Sequence, residues 1–341
     1  PNMAQTSCLN CPDGYYCDKT NGTVTPVECG VGNFCPAGSK TPSKCERGSY
    51  QDSATSPGCK ECPAGKYCDI LGTVTPLPCP TGYYCPANTT YPQSHPCPMG
   101  TFNNQTDLSS EFQCQPCSPG MYCDAAGLSA VSGECSAGFF CGQGSKATNP
   151  TDSNPWHVSY SGETCISQTL KNTSVFVNDI CPPAHYCPMG SRAPTPCPPG
   201  RNSTAFGMSS VGECMDCMKG YYCPLEATMF ATRPCPVGYH CPSGTDNPTL
   251  QCRQGAKCPQ GSWTEDPCLP GFYQDEVGQG DCDECPIGQF CGVDSGTITP
   301  ADCGKGKYCV AGSSAEASCA LGTYNPNDNS ADCPTCPPGY Y

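Results

Sequence analysis

Leu, Ile, Val and Phe together supply only 38 of the 341 residues. That is too little apolar side chain for a core in a chain of this length, and without crosslinks such a composition stays disordered. Long hydrophobic runs are missing too. No stretch approaches the roughly 18 consecutive apolar residues of a membrane-spanning helix, so no membrane span is expected. Positive charge is scarce: 16 Lys and Arg stand against 30 Asp and Glu, a formal net charge of −14. This argues against nucleic acid and anionic membranes as partners, because both require basic patches. His is rare. His95, His157, His185 and His240 lie in four different contexts, none beside a nucleophile motif or at a metal-ligand spacing. No 3.6-residue apolar stripe is visible, and no Gly-rich loop precedes a helix. The chain is therefore expected not to be an enzyme and to carry no cofactor other than covalent glycans.

Cysteine is abundant, with 37 residues. That density marks a disulfide scaffold, and it persists only in an oxidising compartment, so the protein is expected to be secreted or on a cell surface. Crosslinks replace the missing core. A zinc array is the rival use of so many thiols. Cys-x-x-Cys occurs at Cys8/Cys11, Cys59/Cys62, Cys114/Cys117, Cys214/Cys217, Cys282/Cys285 and Cys333/Cys336. Zinc would need a second close pair beside each, and the remaining Cys pairs are more widely spaced.

One phrase recurs almost from end to end: Cys, often Pro, any residue, Gly, any residue, an aromatic, and often a second Cys. Cys11-Pro12-Asp13-Gly14-Tyr15-Tyr16-Cys17 and Cys79-Pro80-Thr81-Gly82-Tyr83-Tyr84-Cys85 are two copies. Such a period predicts a tandem array. Gly at the fourth place allows positive φ, so each phrase is predicted to be a tight turn, with its aromatic over the turn or against a disulfide. Gly and Pro together exceed a fifth of the residues. The fold class expected is one of small disulfide-rich modules: an elongated tandem array of short β-ribbons and turns with little regular secondary structure.

Three phrases make a larger unit, the third of which lacks its second Cys. The expected division is the end of a preceding repeat at 1–10; repeats at 11–61, 62–116, 117–216, 217–284 and 285–335; and the start of a further repeat at 336–341. On this reading the chain is a segment of a longer array, with Cys8 and Cys336 paired beyond it. The 117–216 repeat carries an insertion at about 142–180, free of the phrase, with Trp156, Cys165 and the strand-like run Ser174-Val175-Phe176-Val177. The 217–284 repeat carries one extra phrase, Cys252 to Cys258. The insertion reads either as a decorated loop or as a contact element for another chain.

Asn21, Asn88, Asn104, Asn172 and Asn202 are N-glycosylation acceptors by sequence. Thr23, Thr25, Thr73, Thr75, Thr297 and Thr299 lie in Thr-Pro clusters and are candidate O-glycosylation sites; the plainer reading is an extended connector. Asp18, Asp69 and Asp124 follow the phrase. They could offer calcium a carboxylate, but only one recurs per unit, so a turn-capping role is the stronger reading.

The third phrase with its closing Cys, as in Cys45-Glu46-Arg47-Gly48-Ser49-Tyr50 through Cys59, resembles the opening loop of ephrin-receptor-like and tumour-necrosis-factor-receptor-like cysteine-rich repeats. The match recurs at Cys97 to Cys114, Cys268 to Cys282 and Cys319 to Cys333, and more weakly at Cys197 to Cys214, where Asn202 replaces the aromatic. Such repeats occur in large extracellular proteins of protists and algae, including proteins similar to the mastigoneme glycoproteins of flagellar hairs. The resemblance implies a pairing that spacing alone does not give. Third phrases close on themselves: Cys45–Cys59, Cys97–Cys114, Cys197–Cys214, Cys268–Cys282 and Cys319–Cys333. The others interleave: Cys11–Cys29 with Cys17–Cys35, Cys62–Cys79 with Cys68–Cys85, Cys117–Cys135 with Cys123–Cys141, Cys217–Cys235 with Cys223–Cys241, and Cys285–Cys303 with Cys291–Cys309. Cys165, Cys181 and Cys187 then hold the surplus, as candidates for a free or interchain thiol.

By this analogy the expected function is that of a structural extracellular glycoprotein in a filament or surface appendage such as a flagellar hair, with copies of itself or other filament subunits as partners. The alternative is the ectodomain of a receptor or adhesin that binds a protein ligand.

Overall fold

The structure, a computed structural model, describes residues 10–18, 25–150, 179–292 and 296–340. The chain forms two compact units. One holds Pro1–Asn154, Thr173–Ile180 and Cys187–Ala193; the other holds Pro155–Asn172, Cys181–Tyr186 and Pro194–Tyr341.

Both units are built from one device. In the phrase opened by Cys62, the Lys66 amide donates to the Pro63 carbonyl at 3.1 Å and Gly65 has φ 86°. This is a type II turn with Gly at the position that demands positive φ. The turn folds the phrase back on itself, and the Cα atoms of Cys62 and Cys68 come to 6.1 Å, within disulfide range. The strand Lys66–Tyr67 then pairs with Leu77–Pro78, immediately before the next phrase. Fourteen such two-stranded antiparallel ribbons occur among the described residues. Pro occupies several of the second strands, as at Pro78, Pro116 and Pro234; a two-stranded ribbon consists only of edges, where a missing donor is tolerated.

The interleaved pairing is therefore corrected. In place of Cys11–Cys29 with Cys17–Cys35, the structure joins Cys11 to Cys17 and Cys29 to Cys35. In place of Cys62–Cys79 with Cys68–Cys85, it joins Cys62 to Cys68 and Cys79 to Cys85. The same replacement holds for Cys117–Cys135 with Cys123–Cys141, for Cys217–Cys235 with Cys223–Cys241, and for Cys285–Cys303 with Cys291–Cys309. The physical reason is the turn: each phrase brings its own two Cys together, and neither is left to reach the next. Cys252 bridges Cys258 in the same way. Third phrases close by longer loops, Cys45 to Cys59, Cys97 to Cys114, Cys197 to Cys214, Cys268 to Cys282 and Cys319 to Cys333. Cys181 and Cys187 are both disulfide-bonded, which corrects their assignment as surplus thiols. Cys165 lies outside the described residues, as do Trp156 and the run Ser174–Val177. Cys336 is unpaired.

Hydrogen bonds repeat with the phrases. The Gly65 amide donates to the Cys85 carbonyl at 2.7 Å, and the Gly65 carbonyl accepts from the Cys79 amide at 2.9 Å. In the second unit the Gly220 amide donates to the Cys241 carbonyl at 2.9 Å, and its carbonyl accepts from the Cys235 amide at 2.8 Å. Each phrase Gly is thus fixed to the phrase that follows. The insertion does not interrupt the pattern: Phe139–Phe140 pairs with Asp179–Ile180 in the usual register, directly before Cys181.

The buried residues are mostly the cystines themselves, as a chain poor in aliphatic side chains requires. Among the described residues, two apolar clusters supplement them: Leu108 with Cys97 and Cys114 against Tyr84, and Met208 with Cys197 and Cys214 against Tyr186.

Candidate functional site

Connectors carry a second turn that the phrase pattern does not disclose. After Cys35, the Ser39 amide donates to Pro36 at 3.1 Å, with Gly38 at φ 83°, and the Gly38 amide donates to the Cys11 carbonyl at 2.8 Å. Equivalent positions accept residues other than Gly. Asn88, Asp107, Ala227 and Asn329 all have positive φ, and their amides donate to Cys62, Cys79, Cys197 and Cys303 respectively. Ala184, also at positive φ and fully buried, fills the Gly place of its phrase. Every non-Gly residue with positive φ among those described therefore occupies one of the two turn places.

The residue after this second turn place is Ser or Thr in many connectors, and its hydroxyl closes the turn. Ser39 donates to Pro36, Thr89 to Pro86, Ser262 to Pro259 and Thr73 to Ile70. This bears directly on the acceptor Thr residues. Thr73 is buried and its hydroxyl is engaged at 2.8 Å, which withdraws it as an O-glycosylation site. Thr297, at the matching place after Gly296, is half-buried; its carbonyl accepts from the Gln274 amide. Thr25, Thr75 and Thr299 are exposed, and Thr23 lies outside the described residues.

Third phrases contain a residue the sequence reading missed. Gln51, Asn103, Ser203, Gln274 and Asn325 stand where other phrases have their second Cys, and all five are buried. Each ties down its loop. Gln51 donates to the Gly58 carbonyl at 2.6 Å and accepts from the Ser53 amide at 3.0 Å. Asn103 donates to Gln105 at 2.7 Å and accepts from the Gln105 amide at 3.0 Å. Ser203 accepts from the Ala205 amide, Gln274 donates to Asp281, and Asn325 accepts from Asn327 and Ser330. The common signal is a polar residue six places after a phrase-opening Cys. The differing residue types conceal it.

Loops of the Cys97–Cys114 kind add a 3-10 turn at Glu111–Gln113, in which Gln113 Oε1 accepts the Ser109 and Ser110 amides. Its counterpart, Val211–Glu213, uses Glu213, which accepts from the Ser209 hydroxyl at 2.6 Å and the Ser209 amide at 3.0 Å. These bonds from Ser209 hold the Glu213 carboxyl below its usual range. Phe112, on the first of these turns, is 99% exposed. Burial, followed by the nearby Glu111 charge, pushes the Tyr84 hydroxyl up.

Asn88 and Asn104 are exposed; Asn88 stands at positive φ in its connector turn, and Asn104 lies between Asn103 and Gln105, which bond to each other. Asn202 is half-buried: its Nδ2 donates to the Met229 carbonyl at 3.4 Å, and its Oδ1 is buried without a partner. Asn21 and Asn172 lie outside the described residues. Asp18 is exposed, Asp69 is half-buried, and Asp124 accepts from the Ser132 hydroxyl at 2.6 Å; the three stand in separate copies of the repeat. His95 packs against Tyr84 with ring centroids 5.4 Å apart and planes tilted by 31°. A ring nitrogen of His185 lies 2.9 Å from the Pro183 carbonyl. His240 lies beside Cys252 and Cys258, and His157 is outside the described residues. No helix among the described residues is long and apolar enough to cross a membrane.

No family model matches the chain. Part of it is similar to ABC transporter G family member 28 of Arabidopsis thaliana, 33% identical over 117 residues, covering 33% of this chain and 10% of that protein. It is also similar to the sushi, von Willebrand factor type A, EGF and pentraxin domain-containing protein 1 of Rattus norvegicus, 34% identical over 110 residues, covering 27% of this chain and 3% of that protein. Cysteine repeat modular protein A of Toxoplasma gondii is 33% identical over 137 residues, covering 35% of this chain and 4% of that protein. The chain thus spans a tenth or less of these relatives' lengths. What it shares with them is local, and what the structure displays is an array of cysteine-rich, disulfide-closed repeats of the extracellular type.

Proposed function

We propose that this chain is a structural extracellular glycoprotein, a stapled repeat segment of a filament or surface appendage such as a flagellar hair, with copies of itself or other filament subunits as partners. The observation that carries this reading is the continuity of the repeat within each unit. Phrase Gly residues are bonded to the phrase ahead, an insertion leaves the register intact, and an added phrase at Cys252 joins by the same bonds. An array of this kind distributes stability over nearest-neighbour contacts and can be lengthened without redesign. N-glycans at Asn88 and Asn104, with O-glycans at Thr25, Thr75 and Thr299, would coat a surface whose own side chains bury little. Electron microscopy of native material tests it: fibres with a fixed axial repeat are expected, and isolated membrane-anchored monomers would contradict it.

The second reading is the ectodomain of a receptor or adhesin. Phe112, a fully exposed aromatic on a capped turn, favours it, because rigid aromatic anchors dominate many protein interfaces. Capture of a protein ligand that Phe112→Ala abolishes would support it over the filament.

A further inference from the structure

We infer that a glycan on Asn202 and the seated form of the connector turn at Ala227 exclude each other, so that this acceptor is modified only in chains whose Cys197 phrase has not yet folded. The inference rests on the glycoprotein reading above. The Cys97–Cys114 and Cys197–Cys214 loops are of one length, with the two Cys 17 residues apart in each. Each loop carries one acceptor, Asn104 in the first and Asn202 in the second, but at different places. Asn104 directly follows the buried polar residue Asn103 and is exposed. Asn202 directly precedes the buried Ser203 and takes the aromatic place, which Phe102 fills in the other loop.

That place is packed on two sides. Asn202 pairs with Met215 across its own ribbon and bridges Thr228 of the connector. Its Nδ2, the atom that an N-linked sugar occupies, donates to the Met229 carbonyl at 3.4 Å, and its Oδ1 is buried. The Ser203 amide donates to the Thr228 carbonyl at 3.2 Å. From the other side, the Ala227 amide donates to the Cys197 carbonyl at 3.0 Å and holds the connector against the phrase. The Asn202 amide is thus lodged between phrase and connector, and a sugar ring on Nδ2 would need space that residues 228 and 229 fill. The transfer itself takes an oligosaccharide joined through pyrophosphate to a lipid carrier. Nδ2 bonds to the anomeric carbon and loses one proton, while the bond from that carbon to the pyrophosphate oxygen breaks and its electron pair leaves with the lipid pyrophosphate. Nδ2 is open to this reaction only before the connector seats.

The test expresses the whole chain through a eukaryotic secretory pathway and maps glycopeptides, with Asn104 as the internal reference. Secreted parent chains should carry a glycan at Asn104 and none at Asn202. Ala227→Pro removes the donor to Cys197 and forbids positive φ, so the connector does not seat. Cys214→Ser leaves the loop open. Mapped on total chains from cells, so that a variant that fails to fold still reports, Asn202 should rise from unmodified to an occupancy comparable with that of Asn104; such a rise in either variant supports the inference. With Asn104 occupied, a glycan on Asn202 in the secreted parent, or its absence from both variants, overturns the inference alone. Absence of glycans from Asn88 and Asn104 as well would contradict the glycoprotein reading, and the inference with it.

Discussion

Gly65 packs directly beneath Asp107: a Cβ added to Gly65 would lie 2.6 Å from the Asp107 carbonyl oxygen. The same contact recurs between Gly48 and Asn88 at 2.7 Å and between Gly200 and Gly244 at 2.6 Å. Phrase Gly residues are therefore required twice, for positive φ and for close backbone approach to the connector turn two phrases on.

Gly65→Ala tests this. Positive φ alone costs a residue with a Cβ about 1–2 kcal/mol, and backbone cannot move aside as a side chain can, so the total should exceed that. Hydrogen exchange at the Cys79 and Asp107 amides should speed up accordingly. Unchanged protection would show that the contact does not matter. Ala184→Gly is the converse variant. Relief of strain is offset by the greater flexibility of Gly in the unfolded chain, so its effect on exchange should be small.

Asn103→Ala removes a buried amide that both donates to the Gln105 carbonyl and accepts from the Gln105 amide. The loss should be about 1–3 kcal/mol, read as lower protection across residues 103–108. Asn103→Ser should recover part of it, since Ser203 does the same work in the equivalent loop. Equal destabilisation by both substitutions would contradict the proposed role.

Much of this was legible beforehand. The Cys-Pro-x-Gly pattern of residues 62–65 announced a turn, and the scarcity of aliphatic residues announced cystines as the buried material. Cysteine connectivity was not legible, because spacing does not say whether Cys62 reaches Cys68 or Cys79; only the turn geometry decides. The buried polar place was hidden by its chemical variety across Gln51, Asn103 and Ser203. Ala227 was hidden because Ala is not a residue type that advertises positive φ. At Thr73 the Thr-Pro composition was misleading, since the hydroxyl there serves the turn.

Glu213 should give the Val211–Glu213 turn a pH dependence. Its carboxyl titrates below the ordinary Glu value because Ser209 stabilises the charged form. Such a group stabilises the fold fully above its unfolded pKa of about 4.3, and that contribution is lost as pH falls through the lower folded value. Exchange at the Ser209 amide should therefore accelerate on acidification through this window, and Glu213→Gln should abolish the dependence while keeping the turn, as Gln113 does in its own. A pH response unchanged in Glu213→Gln would refute the assignment.

Glycopeptide mapping of native protein should find Asn88 and Asn104 occupied and Asn202 unmodified, since a glycan on Asn202 would break its bond to Met229. Complete occupancy of Asn202 would show that the ribbon forms with that bond absent.

The account depends most on each phrase closing upon itself, and one digest decides it. Trypsin cuts after Lys60 and Lys66, and a protease that cuts before Asp releases Asp69–Thr106. With thiols blocked at acid pH, the peptide Glu61–Lys66 should be found joined only to the dipeptide Tyr67-Cys68, as the Cys62–Cys68 bridge requires. Recovery of Glu61–Lys66 joined to Asp69–Thr106, which contains Cys79 and Cys85, would contradict the account.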